Sequence, residues 1–106
     1  MIVRRRKYGN RPTEVDGIVF ASAREAHRYG QLKLMAKVGL VKGLILQPKF
    51  PIVVNGVKVC DYIADFEYRD EHGARVIEDA KGVRTDAFIL KSKLMRAVHG
   101  IDVKEV

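Results

Sequence analysis

Two aspartates and a lysine have the types and spacing that could form a metal-dependent hydrolytic site. Asp79 and Lys81 fall two residues apart in a strand predicted over 74–81, so strand alternation puts both on one face. Asp65 belongs to the preceding strand, predicted over 57–68. If residues 71–73 form a three-residue hairpin loop with Gly73 left-handed, Asp65 lies directly across from Asp79. A one-residue change of register would break that pairing.

Carboxylates directly opposed on neighbouring strands lie about 5 Å apart and repel each other, which destabilises the fold unless a positive charge lies between them. Magnesium suits such a pair because it binds through one or two carboxylates and completes its coordination with water and substrate phosphate oxygens. Lys81 would then position or deprotonate the attacking water and stabilise charge on the phosphate. The alternative for Lys81 is an ordinary surface ion pair with an aspartate, which contributes little to stability.

Each of the two predicted helices carries one charged residue within its apolar stripe. Glu25 falls on the stripe that contains Leu32, and Lys91 falls on the stripe that contains Leu94. Glu25 has two interpretations: a role at the metal site, or a capping box in which its side chain bonds back to the N–H of Ser22. Lys91 has no capping role, so we expect it to contact a phosphate or line the site rather than only extend to the solvent-exposed rim.

These residues need a mixed α/β (α+β) fold to position them. Helix signals predict a first helix from Ala23 to Lys37, ended near Gly39, and a second from about Asp86 to Val98. Between them, strands are predicted over 44–46 and 49–54, with an edge strand indicated by two prolines and a hairpin turn at 55–56. The strand over 57–68 is long enough to require a bend or bulge. With a last strand over 101–106, the order is helix, three antiparallel strands, helix, strand.

Composition predicts a single cytosolic domain with a polyanionic partner. A chain of 106 residues fits one domain, its one cysteine cannot form an internal disulfide, and no apolar stretch is long enough for a membrane helix. A formal net charge of +7 favours nucleic acid, because neutralising phosphates releases condensed counterions, although surplus lysine also serves solubility. The basic cluster is an arm that could follow a DNA backbone or be a frayed terminus, and it comprises Arg4, Arg5, Arg6, Lys7 and Arg11.

A series of short motifs spreads over nearly the whole chain. They are Asp16-Gly17, Phe20-Ala-Ser22-Ala-Arg-Glu25, Leu46-Gln47-Pro48-Lys-Phe50, Tyr62-Ile-Ala-Asp65-Phe66, Glu78-Asp79-Ala-Lys81-Gly82 and Thr85 leading to Phe88 and Lys91. Together they resemble the PD-(D/E)xK nuclease superfamily, and within it a group of small domains borne mostly by phages or prophages. The one departure is Ala64, which stands where the superfamily motif has proline.

The resemblance implies a restriction-endonuclease-like core and a set of roles for individual residues. Asp65 and Asp79 match the two acidic metal ligands, Lys81 the superfamily lysine, and Glu25 the helix-borne acid of some branches. The implied activity is a Mg²⁺- or Mn²⁺-dependent DNA endonuclease in the cytoplasm, that of the bacterial host if the chain is phage-encoded. Similar small folds include resolvases of branched DNA, so a Holliday junction is an implied substrate. We expect a homodimer, because junction cutting needs two coordinated incisions.

Two other classes of function are compatible with a small basic domain. A DNA-binding accessory protein could keep the fold without cutting, although a decayed site would be expected to lose Asp65, Asp79 or Lys81. An RNA-binding module would present stacking aromatics on an exposed sheet face, whereas here the acids are expected on the face left open. Tyr62, Phe66 and Tyr68 are expected on the opposite face, packed against a helix.

Overall fold

The computed structural model describes residues 11–106, which form a mixed α+β fold with two helices and three sheets. Within these residues neither helix has the length and apolar character needed to span a bilayer. The elements are β1 (Thr13–Val15), β2 (Ile18–Phe20), α1 (Ala23–Lys37), β3 (Val41–Leu46), β4 (Lys49–Val54), β5 (Val57–Ile63), β6 (Phe66–Asp70), β7 (Arg75–Asp79), α2 (Asp86–Leu94), a π-helical turn (Met95–His99) and β8 (Lys104–Glu105).

The four-stranded sheet has the order β3-β6-β7-β8. Strand β6 runs antiparallel to both β3 and β7, and β8 joins parallel to β7 after the chain has passed through α2. Parallel neighbours require such a crossover, which the second helix supplies. The predicted succession of helix, three antiparallel strands, helix and strand is therefore present, preceded by the β1–β2 hairpin that turns at Asp16-Gly17.

The hairpin between β6 and β7 has the predicted loop and register. Gly73 has a φ of 80°, and Asp70 and Ala74 close the loop through a backbone hydrogen bond of 2.9 Å. Only glycine adopts such a φ without steric strain, which explains the residue at this point of the turn. Phe66 pairs with Glu78 as the last pair of the hairpin, and Asp65 N–H also donates to the Glu78 carbonyl at 3.0 Å. The expected position of Asp65 across from Asp79 lies one residue beyond this register and stays a prediction.

The bend predicted for the strand over 57–68 falls at Ala64 and Asp65, where the strand divides into β5 and β6. Pairing nevertheless continues through the division: Ala64 N–H donates to the Pro48 carbonyl at 3.1 Å, and Gln47 N–H donates to the Asp65 carbonyl at 2.9 Å. Gln47 has a φ of 52°, which turns the partner strand at this level. The β4–β5 hairpin thus bends away from the main sheet, and β4, which contains Pro51, pairs only with β5, as an edge strand should.

Two apolar clusters cover opposite faces of the main sheet. One packs α1 and the β1–β2 hairpin against Phe66 and Tyr68 of β6, as predicted for these two aromatics. The other packs α2 and the β4–β5 hairpin against Ile77 of β7. The sequence had suggested that the face carrying Ile77 and Asp79 is open. This was wrong, because α2 and the β4–β5 hairpin cover that face. Tyr62 also departs from its prediction, since it belongs to the α2 cluster because β5 bends at the division.

Candidate active site

Asp65 occupies the point where the β4–β5 hairpin separates from the main sheet, and its backbone and side chain are both held there. Its N–H donates to the Glu78 carbonyl at 3.0 Å, and its Oδ2 accepts from the backbone N–H of Ala80 at 2.8 Å. The side chain therefore lies along the end of β7. Only 9% of Asp65 is exposed to solvent, so this carboxylate is fixed rather than mobile.

Asp79 is the last residue of β7 and is 1% exposed. The end of β7 is held on both sides. On one side Asp79 pairs with Glu105 of β8, and the Asp79 carbonyl accepts from Val106 N–H at 3.0 Å. On the other side the Asp65 carboxylate accepts from the Ala80 N–H. The Asp65 carboxylate thus binds the residue next to Asp79, where the sheet ends.

Lys81 follows Asp79 by two residues and lies on the α2 side of the sheet. Its Nζ is 4.8 Å from the centre of the Phe88 ring, which is itself buried beneath α2. The aromatic face stabilises a cation there, and Lys81 is half-buried. The grouping of Asp65, Asp79 and Lys81 into one site stays a prediction.

Glu25 lies in the first turn of α1 and is 4% exposed. Its N–H donates to Ser22 Oγ at 3.1 Å, which is one half of the capping box considered from the sequence. The first turn of α1 also lies against the chain just beyond β7, because a Cβ built on Gly82 would stand 3.6 Å from Arg24 Nε. This position is compatible with either interpretation of Glu25.

Lys91 projects from α2 toward β5 and donates to the carbonyl oxygen of Asp61 at 3.3 Å. It therefore lies on the same side of the sheet as Lys81. Asp61, which strand alternation groups with Asp65, is engaged differently: its carboxylate meets Lys58 at 3.0 Å and Lys49 at 3.5 Å. The hydrogen bond from Lys58 lowers the pKa of Asp61 below its ordinary value. Asp61 is thus the lysine-bound carboxylate of this strand, whereas the Asp65 carboxylate binds the Ala80 N–H.

A buried ion-pair network next to the acids was not anticipated from the sequence. Arg28 of α1 binds both carboxylate oxygens of Glu78, at 2.8 Å from Nε and 2.7 Å from Nη2, and Tyr68 donates its hydroxyl to the same carboxylate. Glu78 is fully buried. The hydrogen bond to Glu78 raises the pKa of Arg28, and burial, aided by Glu78, raises the pKa of Tyr68 to about 12. Strand alternation had indicated only that Glu78 faces away from Asp79.

The predicted basic arm is described only at its end. Arg4, Arg5, Arg6 and Lys7 lie outside the described residues. Arg11 is exposed, and its carbonyl accepts from the Thr13 hydroxyl at 3.3 Å at the start of β1. The structure therefore gives the arm no position relative to the acids.

The donor set of the site fits a hard divalent cation. Within residues 11–106 no group of three or more His, Cys, Asp or Glu side chains is arranged to hold a metal ion. Asp65 and Asp79 still supply the two carboxylates that magnesium needs, since that ion takes its other ligands from water and phosphate oxygens. They do not provide the four thiolate or imidazole ligands that are typical of a structural zinc site.

The sequence also matches a family model, described as a protein of unknown function (DUF1064), over residues 5–105. The chain therefore belongs to the DUF1064 family. No curated protein matches it.

Proposed function

We propose that this protein is a metal-dependent DNA endonuclease that hydrolyses phosphodiester bonds at the site formed by Asp65, Asp79 and Lys81. The observation that best supports this is that the Asp65 carboxylate binds the N–H of Ala80, next to Asp79. Asp65 and Asp79 are 9% and 1% exposed, and Lys81 follows Asp79 by two residues. Carboxylate oxygens are ligands that Mg²⁺ and Mn²⁺ prefer, so these two acids suit a metal-dependent hydrolytic site.

Each residue has a definite task in this proposal. Asp65 and Asp79 would hold the metal, which when bound lowers the pKa of water and stabilises negative charge on a phosphate. Lys81, beside Phe88, would orient the attacking water or take up its proton. Glu25 would complete the site from the first turn of α1 if its carboxylate is not used for capping.

DNA is the proposed substrate because the chain is strongly basic and the chemistry requires a phosphodiester. Lys91 on α2 and the arm containing Arg11 would contact the backbone, a mode that recognises shape rather than sequence. The element order and the motifs around Asp65 and Asp79 are the arguments for placing the chain among the PD-(D/E)xK nucleases, with a restriction-endonuclease-like core. A branched substrate such as a Holliday junction, and a homodimer able to make paired incisions, belong to the same proposal.

The test is cleavage of labelled linear duplex, flap and four-way-junction DNA with Mg²⁺, Mn²⁺ or a chelator. Wild type should cut only with metal, and Asp79→Ala should bind DNA without cutting it. Asp61→Ala is the matched control, because it removes a carboxylate from the neighbouring strand that is held by lysines. Binding without metal-dependent cutting by the wild type would favour a DNA-binding accessory protein instead.

A further inference from the structure

The network of Arg28, Glu78 and Tyr68 connects three elements that surround the candidate active site. Arg28 belongs to α1, Tyr68 to β6 and Glu78 to β7. Arg28 makes a two-point contact with the Glu78 carboxylate, at 2.8 Å and 2.7 Å, and 17% of its side chain is exposed, whereas Glu78 has no exposed surface. A planar guanidinium held at two points fixes orientation as well as distance.

Stability alone does not account for such a network. A buried ion pair must first lose its hydration, and well-packed apolar side chains of similar volume often stabilise a fold equally or better. The apolar alternative is available here, because the network adjoins the cluster that contains Phe66 and Leu32. An ion pair differs from apolar packing in allowing one geometry only.

The network lies one residue from one site carboxylate and one helical turn from another. Glu78 directly precedes Asp79 on β7, and Arg28 follows Glu25 by three residues on α1. Residues three apart on a helix share a face, so Arg28 and Glu25 project from the same side of α1. Glu78 and Asp79 point to opposite faces of β7, which prevents the network from touching the Asp79 side chain directly.

We infer that the Arg28–Glu78–Tyr68 network is a positioning device that fixes the first turn of α1 against the acid-bearing end of β7. The inference rests on the proposed nuclease function. Arg28 and Glu78 act through the backbone of their own elements and do not contact metal or DNA. Loss of the network should therefore lower kcat and weaken the response to metal, and leave the KM for DNA nearly unchanged.

The decisive variant replaces the whole network by apolar side chains: Arg28→Met with Tyr68→Phe and Glu78→Leu. If the network only stabilises the fold, this variant keeps both its melting temperature and its kcat. If the network positions the site, the melting temperature is retained while kcat falls on the order of 10–100-fold and half-maximal activity needs more Mg²⁺.

A second ion pair on the same two strands provides the matched control. Arg75 of β7 meets Glu67 of β6 in a similar two-point contact, at 3.0 Å and 3.3 Å, but at the end of β7 away from Asp79. The apolar replacement Arg75→Met with Glu67→Leu should keep the wild-type kcat and metal response. An equal loss of kcat in this control would overturn the inference.

The remaining outcomes separate the inference from the function on which it rests. If the wild type cuts DNA and the triple variant cuts equally fast, the positioning role alone is refuted. If the wild type shows no metal-dependent cutting, the nuclease function and the inference are refuted together. If the triple variant fails to fold, Tyr68→Phe decides, because it removes a single hydroxyl from Glu78 and keeps the ring. Its kcat should fall about threefold or more at unchanged KM, since one hydrogen bond to a charged group is lost, and an unchanged kcat overturns the inference.

Discussion

Asp79→Asn should make the metal-free protein more stable and remove its stabilisation by magnesium. If Asp79 lies across from Asp65, as the proposed site requires, the two directly opposed side chains are roughly 5 Å apart. At an effective dielectric constant of about 20, two negative charges that far apart repel by about 3 kcal/mol. The Ala80 N–H bound to Asp65 and the nearby Lys81 offset much of this, so a net gain of about 1 kcal/mol is expected in the variant.

Thermal unfolding with and without Mg²⁺ measures both effects. A gain of about 1 kcal/mol raises the melting temperature of a domain of this size by about 4 °C. Magnesium at about 100 times its Kd should stabilise the wild type by about 2.7 kcal/mol, and should leave Asp79→Asn almost unchanged. Asp61→Asn is the control, since its lysine-bound carboxylate lies outside the site and the magnesium effect should persist. Equal stabilisation of wild type and Asp79→Asn by Mg²⁺ would refute the assignment of the metal to this carboxylate.

Three further variants test separate parts of the account. Lys81→Met should abolish cutting of labelled DNA. It should change stability by less than about 1 kcal/mol, the usual strength of a partly exposed cation–π contact. Cutting retained by this variant would exclude Lys81 from the chemistry. Gly30→Ala should raise the free energy of unfolding in urea by about 0.5–1 kcal/mol, because Gly30 is inside α1 and its Cβ would meet nothing within 4 Å; a loss of stability would contradict the described packing. Asp70→Ala should destabilise the protein near neutral pH but not in strong acid, because the Ala74 and His72 N–H groups lower the pKa of Asp70. The stabilisation by Asp70 is present above its ordinary pKa and disappears as the pH falls through the lowered pKa. A loss of stability that is independent of pH would contradict this.

Local signals were sufficient for the helices and turns. Ser22 caps α1 and Gly39 follows its end, as predicted, because capping is determined by residues within one turn of the helix terminus. The loop ended by Gly73 is equally local, and it fixes the register of Phe66 to Arg69 against β7. The hairpin between β6 and β7 was therefore predictable from a short stretch of sequence.

The division of the long strand depended on a distant partner. Nothing within residues 57–68 shows that pairing changes at Asp65, since the turn arises from Gln47, whose φ is 52°. Side-chain alternation alone consequently put Tyr62 on the wrong face. The same division gives Asp65 its hydrogen bonds to Glu78 and Ala80, which no intact strand would provide.

The Arg28–Glu78 ion pair escaped prediction for a similar reason. Its partners are 50 residues apart, and each has an ordinary local explanation. Arg28 is a charged residue on a helix, and Glu78 is the neighbour of a candidate metal ligand. Lys91 was expected to contact phosphate, but its position against the Asp61 carbonyl depends on how α2 packs on β5. Whether it also contacts DNA stays a prediction.

Nicking of supercoiled plasmid DNA by wild type and by Asp79→Asn, each with Mg²⁺ and with a chelator, tests the central claim most directly. The account predicts nicked and linear products only for wild type with metal, and DNA binding by both proteins. Equal cutting by Asp79→Asn, or cutting by the wild type in the presence of the chelator, would contradict a site in which Asp65 and Asp79 hold the metal.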